Sequence, residues 1–413
     1  MGITGKKIAV VGGCGHVGLP LGVKFALAGA QVSLVDISAE AVKSINGGTF
    51  PFLENGGDRE LQEALRRGLR ATTDAKEVAN CEVVVFVTGT PVDEHLNPKL
   101  SEVLKILDFY QPYFRQDALI VMRSTLFPGT MEHIYNRLRD RNANVRLTFC
   151  PERVSQGYAL EEIDSLPQII SVFDEPSFDA AYEVFAAIAP KIIRLRPIEA
   201  EMTKLMANAW RYLEFAIANQ FYMIAEANGV DFHRLYEAIR YEDPRAKGYK
   251  APGFAAGPCL FKDTMQLASF FDNQFYLGHS AMLVNEGLAT FAVEKATKEL
   301  GGSVWGKTIG LLGMAFKPNN DDTRESLSFK VKKVLEFRGA EVVYTDPYVA
   351  GGISLDEFRK TCDAVIVCTP HSEYKGLEFT QPVVDVWGFY YKSSLEIFPG
   401  ALGEEKSAKV ANA

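Results

Sequence analysis

Short runs of β-branched and other apolar residues alternate with amphipathic stretches along the first half of the chain. Lys7 to Val11, Gln31 to Val35, Glu82 to Thr88, Ala118 to Met122 and Val145 to Phe149 read as strands. Leu19 to Ala28 and Asp58 to Arg67 carry helical spacing between them. Such alternation predicts a mostly parallel sheet covered by helices on both faces. From about Ile198 to Lys298 the period becomes helical, broken by a Pro/Gly-rich stretch from Asp243 to Pro258. Strand-like runs then return at Thr308 to Leu312, Glu341 to Thr345, Ala364 to Cys368 and Pro382 to Val386. The pattern predicts two α/β domains, residues 1–197 and 301–413, joined by a helical domain over residues 198–300. Small polar residues after Gly400 predict a frayed tail.

Length supports that division, since 413 residues exceed one ordinary core. A net charge of −8 argues against nonspecific nucleic-acid binding but leaves room for a local cationic pocket. The six cysteines are scattered, with no CxxC pair and no Cys/His spacing that suggests a metal site. They predict a reduced, cytoplasmic protein. Met1 leads within a few residues into the first strand, so no signal peptide is expected. No apolar run is long enough to span a bilayer, so no membrane partner is expected either.

The first chemical signal follows the first strand. Gly13, Gly15 and Gly18 form GxGxxG around His16 and Val17, after a strand and opening a helix. Glycines there let the backbone turn tightly and approach a pyrophosphate placed at the helix N-terminus. Asp36, at the end of the next strand, can accept from ribose hydroxyls and would repel a 2′-phosphate, which favours NAD over NADP. A plain glycine turn with Asp36 capping a loop would share the composition, but strand, turn, helix and acid in register favour a cofactor site. The fold class is then α/β with two Rossmann-like doubly wound domains joined by a helical central domain with a long helix. Thr88-Gly89-Thr90-Pro91 and Ser124-Thr125-Leu126-Phe127-Pro128-Gly129-Thr130 also follow strands, and their hydroxyls can reach the same cleft.

A second signal lies in Gly253-Phe254-Ala255-Ala256-Gly257-Pro258-Cys259-Leu260-Phe261-Lys262-Asp263. A cysteine opening a helix beside a cation is expected to have its pKa lowered towards a usable thiolate. Asp263, four residues on, would share its helical face. Upstream, Glu201, Lys204 and Asn208 are spaced to line one face of a helix, continued by Arg211 and Asn219. That segment is apolar on several other sides, so burial is expected and its polar face needs a partner or ligand. A solvated polar stripe and a buried structural cysteine are the plainer alternatives.

Taken in order, these motifs resemble the UDP-glucose/GDP-mannose dehydrogenase family over essentially the whole chain. The resemblance rests on GxGxxG, Gly89-Thr90-Pro91, Ser124 to Thr130, Pro151-Glu152, Glu201 to Asn208, and Gly257 to Asp263. Gly313-Met314-Ala315-Phe316-Lys317-Pro318 and Asp321-Asp322-Thr323-Arg324-Glu325-Ser326 extend it into the last domain. The resemblance implies an NAD-dependent, four-electron oxidation of the C6 alcohol of a UDP-sugar, either UDP-glucose or a UDP-N-acetylhexosamine. Cys259 would carry a thiohemiacetal and then a thioester. Lys204 and Asn208 would stabilise oxyanions, Asp263 and Thr125 would position water, and Glu152 would act as base and contact substrate. Gly13, Gly15, His16, Val17, Gly18, Asp36, Thr90 and Thr125 would hold NAD. Lys317 and Arg324 would hold the nucleotide sugar, with Arg245 reaching the substrate of a neighbouring subunit in a homodimer packed along the central helix. No metal is implied.

Three features depart from the family's pattern. Gln156 stands where a second glutamate is frequent, and Gln cannot act as a base. Phe254 and Ala256 stand where glycines are usual, which is expected to reshape the pocket beside the sugar. Pro151-Glu152-Arg153-Val154 is similar to the branch acting on UDP-N-acetylhexosamines, whereas Lys262-Asp263 and Arg324-Glu325-Ser326 are similar to the UDP-glucose branch. Two competing readings are a two-electron NAD-dependent hydroxyacid dehydrogenase and a catalytically silent NAD- or nucleotide-sugar-binding regulator. The first needs no nucleophilic cysteine and no second nucleotide domain. The second predicts loss of at least one of Lys204, Asn208, Cys259 or Asp263, and all four are present.

Overall fold

The computed structural model describes residues 2–89, 93, 99–141 and 144–398. Its first sheet has eight strands: β1 (Lys7–Val11), β2 (Gln31–Val35), β3 (Arg70–Thr72), β4 (Val83–Phe86), β5 (Leu119–Met122), β6 (Arg146–Phe149), β7 (Gln168–Val172) and β8 (Ile192–Leu195). Their order is β3-β2-β1-β4-β5-β6-β7-β8. All neighbours run parallel except β6 and β7. Strands β1, β4 and β5 are nearly continuous apolar runs because helices cover both of their faces. Strand order reverses between β1 and β4, so the crevice beyond their carboxyl ends is where such sheets bind ligands.

Three of these strands were not anticipated from the pattern. β3 is only three residues long, and β8 is largely exposed and contains Arg194. β7 is fully buried and lies between two helices in chain order, but it pairs antiparallel with β6 and so breaks the parallel run.

The second sheet is four-stranded and parallel, ordered β10-β9-β11-β12, with β9 (Thr308–Leu312), β10 (Glu341–Thr345), β11 (Ala364–Val367) and β12 (Val383–Val384). Between the sheets runs a central helix, Pro197–Ala227. Its 31 residues make it about 46 Å long at 1.5 Å per residue. Pro197 supplies a preset φ at its first turn, and the Glu199 side chain reaches back to the Arg196 backbone. Leu205, Ala209, Tyr212, Ala216 and Tyr222 are buried along one side, against the helices Leu260–Phe270 and Tyr276–Glu299 and the second core. Met206, Trp210, Ile217, Phe221 and Ile224 lie exposed on another side.

Candidate active site

The glycine turn is built for close approach. A Cβ on Gly13 would lie 2.5 Å from the Val10 carbonyl oxygen, and one on Gly18 would lie 2.7 Å from the Gly12 oxygen. Gly15 meets only the Gly12 oxygen, at 3.9 Å, so its outer face is open to a ligand. Val17 precedes the helix Gly18–Leu27, which aims its N-terminus at that space. Asp36 is half-buried at the end of β2. One oxygen accepts from the Cys14 amide at 3.0 Å and the other from the Ser38 amide at 3.1 Å. Asp36 therefore braces the turn and also presents a carboxylate beside it. His16 packs at a tilt against Phe52 with ring centroids 3.9 Å apart, and its Nδ1 is buried without a partner. Burial holds its pKa below the ordinary histidine value. An open glycine cradle, a helix N-terminus, an adjacent carboxylate and an orphan imidazole nitrogen fit a dinucleotide. Thr90 lies outside the described residues.

The second centre forms where the central helix meets the helix Leu260–Phe270. Cys259 is the N-cap residue of that shorter helix and is exposed to solvent. Its approach loop is strung between two bodies. The Asn219 side chain pairs with both the amide and the carbonyl of Gly253, at 2.8 and 3.0 Å, and the Gly257 amide donates to the Glu325 carbonyl at 3.2 Å. Gly257 has φ +96°, and a Cβ there would lie 2.6 Å from the Phe316 ring. Phe254 turns away from the site into the second core and meets Trp387 edge-on at 6.3 Å. The Phe254 ring thus anchors the loop to that core. Ala256 is half-buried and packs against the same core.

Asn208 and Asp263 are buried, and Asn208 Nδ2 donates to Asp263 Oδ2 at 2.6 Å. The other oxygen, Oδ1, has no hydrogen-bond partner and lies 3.7 Å from Lys262 Nζ. Lys204, Lys262 and Arg324 act electrostatically on the Cys259 thiol, but burial and the Asp263 charge outweigh them. The thiol pKa is thus pushed up, not down as the helix start and neighbouring cation had suggested. Protein atoms crowd the base of the recess, so a charged sulfur there loses more hydration than the cations restore.

The last domain closes over this centre. Lys317 donates to Ser155 Oγ at 2.9 Å and to the Gln156 carbonyl. Burial holds its pKa below the ordinary lysine value. Arg324 is exposed and pairs with Asp322. Lys317 thus meets the loop after β6, in the seam between the sheets, while Arg324 acts electrostatically on Cys259. Beside the seam a cavity of about 510 Å³ is lined by Phe50, Phe52, Leu53, Glu54 and Asp321 among others. Another groove, of about 810 Å³, lies at the amino ends of the strands, away from the chemistry, where Lys6 and Glu183 pair with each other.

Not every expected residue joins the centre. Arg245 is paired to Asp243 and its side chain is 89% exposed, so this chain does not bring it to its own cysteine. Glu152 is buried rather than free. Arg123 donates to one of its oxygens, and the Arg153 and Val154 amides donate to the other at 2.6 and 2.9 Å. Those donors occupy both carboxylate oxygens. Thr125 is half-buried on its loop, and its hydroxyl has no partner among the described residues. The sequence reading did not anticipate Arg123, the Glu325 carbonyl, Trp387 or His371. His371 bridges Asp346, at 3.1 Å, and the Asn319 amide, at 2.9 Å, and so pins the turn that carries Lys317. An arginine after a strand and a histidine after Thr-Pro offered no spacing that marked them. Among the described residues no group of His, Cys, Asp or Glu could hold a metal ion, and no helix is long and apolar enough to cross a membrane.

Two nucleotide-cradling α/β domains around a cysteine-bearing helical middle define a nicotinamide-linked dehydrogenase with a second nucleotide-binding domain. The chain belongs to the UDP-glucose/GDP-mannose dehydrogenase family: its NAD-binding domain matches residues 6–189, its central domain 198–286 and its UDP-binding domain 310–392. A UDP-N-acetyl-D-mannosamine dehydrogenase of Pyrococcus horikoshii is 31% identical, over 90% of this chain and 91% of its own length. The UDP-glucose 6-dehydrogenase YwqF of Bacillus subtilis is 28% identical over 89% and 88%. Among solved structures, a UDP-glucose dehydrogenase from Pyrobaculum islandicum superposes with a TM-score of 0.86 at 28% identity, over 94% of this chain and 95% of the other. The cofactor is NAD, and the chain is an oxidoreductase of the nucleotide-sugar dehydrogenase type.

Proposed function

We propose that this protein oxidises the C6 primary alcohol of a UDP-sugar, UDP-glucose or a UDP-N-acetylhexosamine, to the carboxylate through a covalent intermediate on Cys259. The observation that carries this reading is the convergence on one exposed thiol of a lysine, an amide and a half-satisfied buried carboxylate. NAD, when bound, accepts a hydride at each of the two oxidations. It would lie on the Gly13–Gly18 turn with Asp36 at its ribose.

The chain's own groups supply the rest. The alcohol loses a proton and a hydride to become an aldehyde. Cys259 sulfur adds to the aldehyde carbon as its proton passes to the oxygen, and the resulting thiohemiacetal loses a proton and a second hydride to become a thioester. Water then displaces the thiol and releases the acid. Lys204 and Asn208 stand on one helix face, where they can stabilise the oxygen as it gains negative charge. Asp263 Oδ1 and the Thr125 hydroxyl are uncommitted acceptors and suit the hydrolytic water. Both Glu152 oxygens already accept hydrogen bonds, whereas Asp263 Oδ1 accepts none, so Asp263 is the freer partner for that water. Lys317 and Arg324 would hold the diphosphate or sugar, with charge and hydrogen bonds suited to an anion. The exposed apolar stripe of the central helix supports a homodimer, in which Arg245 could serve the neighbouring site.

Counting NADH formed per UDP-sugar consumed tests the reading. Two per sugar is expected across a panel of UDP-sugars, and the sugar that turns over identifies the substrate. Cys259→Ser is expected to stop acid release. One NADH per sugar would remove the thioester route and favour a simple alcohol dehydrogenase.

A further inference from the structure

Resting on that reading, we infer that Glu201 is a positioning residue: it fastens the loop carrying Thr125 onto the helix carrying Lys204 and Asn208. Its carboxylate bridges two segments far apart in sequence. Oε2 accepts from the Gly129 amide and Oε1 from the Met131 amide, each at 2.7 Å. These amides open the helix Thr130–Asp140, for which Gly129 is the N-cap residue at φ +94°. They are donors that a helix leaves unsatisfied, and the helix dipole favours an anion there. A nearby Ser, Thr, Asn or Asp usually fills this role. Here the acceptor comes from the central helix, three residues before Lys204 and seven before Asn208.

The arrangement is expensive for a purely structural cap. Glu201 is 1% exposed and has no Lys, Arg or His partner among the described residues. Burial raises its pKa to about 7, against the pull of the two amides. The loop is tied elsewhere as well. Ser124 Oγ donates to the Thr88 carbonyl at 2.5 Å, and Phe127 meets Phe270 of the cysteine-bearing helix edge-on at 5.7 Å. Those ties join the loop to the sheet and to the cysteine's helix. Glu201 supplies the polar tie to the helix of Lys204, so it sets Thr125 against the oxyanion-stabilising pair.

Glu201→Gln in the full-length protein tests this. An amide offers one acceptor oxygen and turns its NH₂ towards the second backbone N–H, so one of the two ties is lost. A small displacement of reacting groups slows chemistry by about ten- to a hundredfold. The expected result is a kcat lower by that factor and a weaker NAD affinity. The UDP dissociation constant should stay close to wild type, because the last domain, which would hold UDP, is remote from this tie. Hydrogen exchange at the Gly129 and Met131 amides should accelerate. Unchanged kcat and NAD affinity would overturn the inference, and so would parallel losses of NAD and UDP affinity, which mark a general structural role. If the wild type oxidised no UDP-sugar, the functional reading would fail separately, and the exchange rates with the NAD–UDP affinity split would still decide the role of Glu201. Should Glu201→Gln not fold, Glu201→Asp keeps the charge but is too short to reach both amides, and the same split is expected.

Discussion

The buried pair Asn208–Asp263 makes a quantitative claim about stability. Asp263 is fully buried, and Asn208 Nδ2 is its only side-chain hydrogen-bond donor among the described residues; Lys262 lies at 3.7 Å, beyond hydrogen-bond reach. Asn208→Ala removes a bond to a charged group, typically about 1.5–3 kcal/mol. It also leaves the carboxylate uncompensated, which for buried ions costs about 3–5 kcal/mol. Partial relief from Lys262 places the expectation at about 3 kcal/mol. Asp263→Asn exchanges the ion for an amide and should cost only about 1 kcal/mol, since less desolvation is then required. In the double variant the Asn208→Ala penalty should shrink to about 1 kcal/mol, a coupling of about 2 kcal/mol. Urea unfolding followed by tryptophan fluorescence on the four proteins completes the cycle. Additivity within about 0.5 kcal/mol would refute the view that Asn208 compensates a buried charge.

Other consequences can be checked as directly. At pH 7.5 Cys259 should be alkylated by iodoacetamide more slowly than an unperturbed thiol; Asp263→Asn should accelerate the reaction and Lys204→Met retard it, each by roughly three- to tenfold, with mass spectrometry locating the label. Because the folded pKa of Glu201, about 7, lies above its ordinary 4.5, its stabilising contribution is present below pH 4.5 and is lost as pH rises through 7. The stability of wild type relative to Glu201→Gln should therefore fall by on the order of 3 kcal/mol between pH 4.5 and 8 in denaturation curves. Trp210 is 60% exposed on the apolar stripe, and Trp210→Glu should weaken self-association about thirtyfold or more by analytical ultracentrifugation. An unchanged sedimentation profile would place the subunit contact elsewhere.

Much of this protein was legible in the order of its residues, because the decisive signals are local. The glycine turn after β1 and the acid after β2 are fixed by backbone sterics and strand length, so their spacing survives in the text of the chain. The same holds for Glu201, Lys204 and Asn208, whose helical spacing places them on one face. The long central helix was visible through its period. What tertiary structure decided was how the buried charges are partnered. Nothing near Glu152 in sequence says that Arg123 will claim it, and nothing near Glu201 says that it will cap a helix about seventy residues earlier. The same limit applies to Cys259, whose local sequence suggested a lowered pKa while the packed recess raises it. It applies to Phe254 as well, a departure beside the cysteine that folds into a core shared by the central helices and the last sheet. Periodicity and turn chemistry act over a few residues, whereas desolvation and hydrogen-bond partnership depend on segments that only the packed chain brings together.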